Sequence, residues 1–228
     1  MKPRHRWYSE LRALSSSEWN RFLGEHSGLP GPRANTELAI AYAELADQKH
    51  IVAAAGDSDE YLAMCGAVAL GARASEPRAL ATLHRLASDP RWRVREGVAL
   101  GLQLLGDAGF GDLERIATAW VGDEDPLVRR AAVAAICEPR LLGNPHAAAV
   151  AIDVCRNATA SITRTSRSAR RDPALRALRQ ALGYCWSVAV AAAPDTGLPA
   201  FHELDRDDPD VAWIVNQNLR KKRLARLL

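Results

Sequence analysis

The stretch "SDPRWRVREGVAL", residues 88–100, decides the fold that the sequence predicts. It opens with Asp-Pro, a typical helix start, because the Asp side chain accepts a hydrogen bond from an unpaired amide and Pro fits the first helical position. Val94, Val98 and Leu102 then follow at helical spacing. The stretch therefore predicts an amphipathic helix with one buried apolar face.

Related stretches recur along the chain, with second helices such as "EPRALATLHRLA" between them. They occupy residues 58–70, 124–136, 171–183 and 207–219. The aspartates that open the five stretches are 30, 36, 47 and 36 residues apart: Asp59, Asp89, Asp125, Asp172 and Asp208. Each repeat is expected to be a helical hairpin, which must stack on its neighbours because it cannot bury its apolar face alone.

Asp-Pro followed by Val-Arg on the second helix of such a hairpin resembles the HEAT repeat. The resemblance runs from about residue 34 to the end of the chain and implies an all-α fold, a right-handed α-solenoid of HEAT-like helical hairpin repeats. We expect residues 34–228 to form one continuous repeat domain. Residues 1–33 are expected to supply a capping helix, where a serine followed by Glu18 resembles a capping box.

The composition excludes several classes of protein. No stretch approaches the ~18 apolar residues of a membrane span, and no apolar segment follows the charged start as in a secretory signal. The six histidines show no metal-ligand spacing, and neither a phosphate-binding P-loop nor a GxGxxG motif is present. The scattered cysteines indicate buried thiols in a reducing compartment. We therefore expect a soluble, cytoplasmic monomer without a cofactor or a membrane partner.

The charge of the chain is unevenly distributed. From residue 156 onward there are 13 Lys and Arg against 7 Asp and Glu, a net charge of +6. Residues 1–155 hold 17 against 20, a net charge of −3. A basic half predicts a polyanionic partner, although arginine also serves in structural ion pairs.

Several residues are not explained by the repeat pattern and are candidates for a functional site. Trp92 and Glu96 lie one helical turn apart, Arg130 follows 34 residues after Glu96, and Tyr184 lies in "LRQALGYCWSVAV". This set resembles the AlkD-like DNA glycosylases, which remove cationic alkylated purines from duplex DNA. The sequence departs from that family's pattern at three places. Glu replaces an Asp, Tyr replaces a second Trp, and Leu127 replaces the Trp before Val-Arg-Arg.

The resemblance implies a catalytic site formed by Glu96, Trp92 and Tyr184. The carboxylate would stabilise an oxocarbenium-like sugar and position a water, and the aromatic rings would attract the cationic base. Glu is one methylene longer than Asp, a displacement of roughly 1 Å that could cost ~10²-fold in rate. The structural alternative is that Glu96 is a surface charge paired with Arg93 or Arg129.

Two basic segments suit contacts with phosphates. "SITRTSRSARRDP", residues 161–173, is either a phosphate-binding loop or a solvated surface loop. "NLRKKRLARLL", residues 218–228, is either the closing cap of the repeats or a further source of phosphate contacts. The predicted DNA-binding residues are Arg93, Arg129, Arg130, Arg164, Arg167, Arg170, Arg171, Arg176, Arg179, Lys221, Lys222 and Arg223.

Two functions follow from these patterns. The first is a HEAT-repeat protein that binds duplex DNA, is related to the alkylpurine glycosylases and excises or recognises cationic alkylated purines. The alternative is a non-catalytic scaffold that binds another protein, as HEAT repeats often do. In a scaffold we expect the arginines to be neutralised by acidic neighbours, whereas DNA binding requires them to be exposed together.

Overall fold

The computed structural model describes residues 3–227, and the side chains of residues 5–227. Within this part the regular elements are helices and there is no strand. The contacts between residues divide the chain into two compact units, of which the first ends at Leu105 and the second begins at Gly106.

The helices follow one another with short connections. Those that begin in the first unit are α1 Pro3–Ala13, α2 Trp19–Glu25, α3 Thr36–Leu45, α4 Gln48–Ala55, α5 Glu60–Gly71, α6 Pro77–Leu86 and α7 Trp92–Ala108. Those of the second unit are α8 Phe110–Trp120, α9 Pro126–Ile136, α10 Pro145–Thr163, α11 Pro173–Ala192, α12 Pro194–His202, α13 Pro209–Leu219 and α14 Lys222–Ala225. Short 3₁₀ turns occupy Ser16–Glu18, Pro139–Leu141 and Ala169–Arg171.

Most of the predicted helix starts are confirmed. The aspartates before α5, α9, α11 and α13 are N-caps whose carboxylates accept hydrogen bonds from amides of the first turn. In α9, α11 and α13 the following proline occupies the first turn, where a missing amide proton costs nothing. These N-caps are Asp59, Asp125, Asp172 and Asp208.

Asp89 is the exception, because α7 begins only at Trp92. Its carboxylate accepts hydrogen bonds from the amide and the guanidinium of Arg91, at 2.8–2.9 Å. The first core residue, Val94, comes five positions after this aspartate, against three in "DPLV" of α9. The two extra residues form a turn ahead of the helix, and the Arg91 guanidinium lowers the pKa of Asp89 within that turn.

The core of the first unit is formed around α5, which is buried from Tyr61 to Gly71. Helix α7 approaches it closely at Gly101, where an added Cβ would lie 2.5 Å from the Val68 carbonyl oxygen. Glycine is required there because two helix backbones meet without room for a side chain. The start of α7, with its predicted site residues, is therefore fixed against the core.

The core of the second unit is formed around α11, which packs on α9, α10 and α13. Leu178, Leu182 and Trp186 are fully buried. The Trp186 indole donates a hydrogen bond of 3.0 Å to the Thr159 hydroxyl, so its polar atom is satisfied inside the core. The opposite face of α11 is exposed at Arg176, Gln180 and Tyr184.

The predicted all-α fold of helical hairpin repeats is confirmed. None of the described helices is both long and apolar enough to cross a bilayer. The capping box at residue 18 is present, with Glu18 Oε2 accepting from the Ser15 amide at 3.0 Å. The division of the chain at residue 34 stays a prediction.

Candidate nucleic-acid interface

The first turns of α7 carry Trp92 and Glu96, whose spacing of four places them on neighbouring positions of one helix face. Trp92 is 47% exposed, which is unusual for so large an aromatic side chain. The guanidinium carbon of Arg95 lies 5.7 Å from the centre of its ring. Arg95 is held in turn by the backbone carbonyls of Asp89 and Pro90.

The carboxylate of Glu96 forms an ion pair with Arg93. Arg93 Nη1 donates to Glu96 Oε2 at 2.8 Å, and Nη2 donates to the carbonyl of Pro32 at 2.8 Å. The Arg93 amide also donates to Glu60 Oε1 at 2.9 Å. The Arg93 side chain is only 14% exposed. The structural alternative for Glu96, a pair with Arg93, is therefore what the fold provides.

Tyr184 is the second exposed aromatic residue of the predicted site, at 42% exposure on α11. Its hydroxyl accepts a hydrogen bond of 2.7 Å from Arg223 Nη2. The Arg223 guanidinium carbon and Lys221 Nζ lie 4.8 and 5.6 Å from the ring centre. Because two cations already lie at this ring, it favours an anion over a further cation.

The arginines at the start of α9 act within the protein. Arg129 Nε and Nη2 donate to the carbonyls of Asp123 and Glu124, at 2.5 and 2.8 Å. Arg95 in α7 likewise donates to the carbonyls of Asp89 and Pro90, which lie six and five residues before it in the chain. Each of these arginines thus closes the turn ahead of its own helix. Arg130 is 7% exposed, so little of its side chain reaches solvent.

Arg170 anchors the segment that we call the basic loop, residues 164–171. Its Nε and Nη2 donate to the carbonyls of Thr165 and Thr163, at 2.8 and 2.9 Å. Its Nη1 contacts carboxylate oxygens of Asp208 and Asp210, at 2.5 and 3.3 Å. The Arg170 side chain is 9% exposed. The basic loop is therefore fastened to the start of α13 rather than merely solvated.

These contacts oppose the predicted role in DNA binding for a subset of the arginines. A guanidinium that satisfies buried carboxylates or carbonyls has few donors left for a phosphate. Arg179 belongs to this subset because it pairs with Asp210. The arginines engaged or buried within the protein are Arg93, Arg129, Arg130, Arg170 and Arg179. Among them Arg129 makes its two contacts through Nε and Nη2 and does not use Nη1 for them.

Another subset is exposed and has no hydrogen bond or ion pair from its side chain among the described residues: Arg164, Arg167, Arg171, Arg176 and Lys222. Arg176, Gln180 and Tyr184 follow at intervals of four on the exposed face of α11. Gln180 is not among the predicted site residues, although its spacing of four from Arg176 indicates that it shares the same helix face. Three cations of this subset lie in the loop that Arg170 anchors.

Asp208 is ionised in this arrangement. Burial alone would raise its pKa, but the Arg170 guanidinium and the amides of Asp210 and Val211 outweigh burial and lower it. The hydrogen bond that Arg170 Nη1 donates to the Asp208 carboxylate likewise raises the pKa of that arginine. The anchor is therefore fully charged at neutral pH.

No group of three or more His, Cys, Asp or Glu residues in the described part of the chain is placed to hold a metal ion. Cys137 and Cys155 lie close together, with 3.5 Å between their sulfur atoms, but both are buried. Burial raises the pKa of Cys155.

Two solved structures share the fold. AlkD2 from Streptococcus mutans is 14% identical, with a TM-score of 0.68, over 90% of this chain and 98% of that chain. The protein smu.31 from Streptococcus mutans UA159 is 13% identical, with a TM-score of 0.64, over 95% and 98%. No family model matches the sequence, and no curated protein matches it. The predicted resemblance to AlkD-like HEAT-repeat proteins is thereby confirmed at the level of the fold.

Proposed function

We propose that this protein binds duplex DNA. The observation that carries the proposal is the basic loop, in which Arg170 fixes the backbone while Arg164, Arg167 and Arg171 stay exposed and unpaired. Exposed cations without a partner attract a polyanion, and fixing them in advance lowers the entropy lost on binding. The related fold of AlkD2 is consistent with this proposal.

The exposed face of α11 extends the proposed surface. Arg176 and Tyr184 are eight residues apart, a distance of about 12 Å along a helix. At the far end Lys221 and Arg223 add two cations beside the Tyr184 ring. The scaffold alternative predicts that acidic neighbours neutralise the arginines, and this holds for Arg93, Arg170 and Arg179. The exposed cations that remain unpaired favour DNA.

The direct test is binding of the full chain to a fluorescein-labelled 20-base-pair duplex, followed by anisotropy between 50 and 300 mM salt. Affinity is expected to fall steeply with salt, because each neutralised phosphate contributes roughly 0.9 to the slope of log K against log salt. Undetectable binding at 50 mM salt would overturn the proposal and favour the scaffold.

We further propose that Trp92 recognises a cationic alkylated purine in the bound duplex. The guanidinium carbon of Arg95 lies 5.7 Å from its ring centre, and the side chain is still 47% exposed, so the ring can attract a further positive charge. Trp92→Ala is expected to remove most of any preference for a duplex with one N7-methylguanine over undamaged duplex, roughly 3–30-fold. The measurement is competition between the two duplexes. Leu227→Ala, which removes another exposed apolar side chain, is the control and leaves the preference unchanged.

Excision of the base is the more specific hypothesis, and Glu96 would carry it. The ion pair with Arg93 argues against it, because Arg93 holds the carboxylate from a position that Pro32 fixes. We therefore expect release of N7-methylguanine from a duplex to be equally slow with the wild type and with Glu96→Gln. Faster release by the wild type would establish a glycosylase and reverse this conclusion.

A further inference from the structure

The second unit contains a polar cavity between the ends of α8 and α10, beside the start of α9. Its volume is about 220 Å³, and it is lined by Val121, Gly122, Asp123, Arg129, Ser161, Arg164 and Thr165. We propose that this cavity is a subsite for one phosphodiester of the DNA backbone. The inference rests on the proposed binding of duplex DNA and assigns to it a specific point of contact.

Two guanidinium groups from successive repeats line the cavity. Arg129 is fixed by its hydrogen bonds to the carbonyls of Asp123 and Glu124, neither of which uses its Nη1. Arg164 is exposed, and its side chain makes no hydrogen bond or ion pair with the described residues. Two cations outweigh the single carboxylate of Asp123. A phosphate that accepts hydrogen bonds from both arginines would complete the charge balance.

The backbone that carries Arg164 is fixed on both sides. Arg170 donates hydrogen bonds to the carbonyls of Thr163 and Thr165, the two residues that flank Arg164 in the chain. The Thr165 hydroxyl donates to the Ser161 carbonyl at 3.0 Å. Arg164 therefore projects from a rigid turn, and only its side chain must become ordered when it binds an anion.

The polar groups that line the cavity determine which residues can donate hydrogen bonds to an anion. The hydroxyls of Ser161 and Thr165 already donate to backbone carbonyls, so the N–H groups available to an anion belong to the arginines. A water occupies about 30 Å³ of liquid, so the cavity has room for a phosphate with bridging water. Planar guanidinium groups suit such an anion because they can donate two parallel hydrogen bonds.

The test is a set of labelled duplexes, each with one methylphosphonate that removes the charge of one backbone phosphate. For wild-type protein we expect this substitution to weaken binding at each contacted phosphate, and by about tenfold at the position that lies in the cavity. Arg164→Ala is expected to abolish that sensitivity, and Arg164→Lys to retain part of it. Arg115→Ala, which replaces an exposed arginine of α8 outside the cavity, is expected to keep it in full. Unchanged folding is verified for each variant by circular dichroism.

Two outcomes overturn the proposal and can be told apart. If wild-type protein binds duplex and Arg164→Ala is as sensitive as the wild type at every position, the subsite is wrong while DNA binding stands. If wild-type protein does not bind duplex at 50 mM salt, the proposed function fails and the subsite fails with it.

Discussion

Duplex DNA binding by the double variant Arg167→Glu with Arg171→Glu is expected to be at least about 100-fold weaker than that of the wild type at 50 mM salt. Both residues are exposed, and neither makes an ion pair within the described part of the chain. Reversing them removes two phosphate contacts and adds repulsion. The slope of log K against log salt is expected to fall by about two, measured by anisotropy at four salt concentrations.

A control variant separates the effect of losing the basic loop's charges from the effect of changing the net charge of the protein. Arg21→Glu with Arg115→Glu changes the net charge of the chain by the same amount, at exposed arginines of α2 and α8. We expect this control to weaken binding only modestly, because neither arginine belongs to the basic loop and a charge outside the contact site acts only through a field that salt screens. Equal losses in the two variants would mean that the basic loop is no contact site.

The helix starts could be predicted because each depends on neighbouring residues. Asp-Pro supplies both a cap and the first helical position, so Asp125, Asp172 and Asp208 needed no tertiary information. Asp89 deviates partly because two extra residues separate it from Val94, which the sequence shows. The guanidinium of Arg91 also engages the Asp89 carboxylate and donates to the Asp57 carbonyl, 32 residues earlier than Asp89. A contact across that separation has no signature in the local pattern.

The roles of individual arginines could not be predicted for the same reason. Arg170 and Arg171 are adjacent and chemically identical, yet the first is an anchor and the second is exposed. The difference is set by Asp208 and Asp210, which lie 38 and 40 residues from Arg170 in the chain. Likewise, the sequence did not decide whether Glu96 is a catalytic carboxylate or one paired with an arginine. The contact of its partner Arg93 with the Pro32 carbonyl, distant in the chain, favours the ion pair.

Replacing Arg170, which anchors the basic loop, is expected to destabilise the fold. Arg170→Ala leaves Asp208 without its guanidinium partner, in a position where its side chain is 11% exposed. Breaking a largely buried ion pair costs about 3 kcal/mol in the free energy of unfolding, because an uncompensated charge stays behind. The measurement is urea unfolding at pH 7. Arg171→Ala, one residue further, is the matched control and is expected to change stability by less than about 0.5 kcal/mol.

The loss in the free energy of unfolding caused by Arg170→Ala is expected to become smaller as the pH falls. The folded-state pKa of Asp208 lies below its ordinary value of 3.8, so the carboxylate stabilises the wild type above that value. This contribution is lost as the pH falls through the lowered folded-state pKa. In the variant, burial without the guanidinium raises the same pKa, and protonation then relieves the unpaired charge. The stability difference between wild type and variant should therefore be largest near neutrality and should shrink below about pH 4. A difference that stayed constant down to pH 3 would mean that Arg170 stabilises the fold through its carbonyl contacts rather than through Asp208.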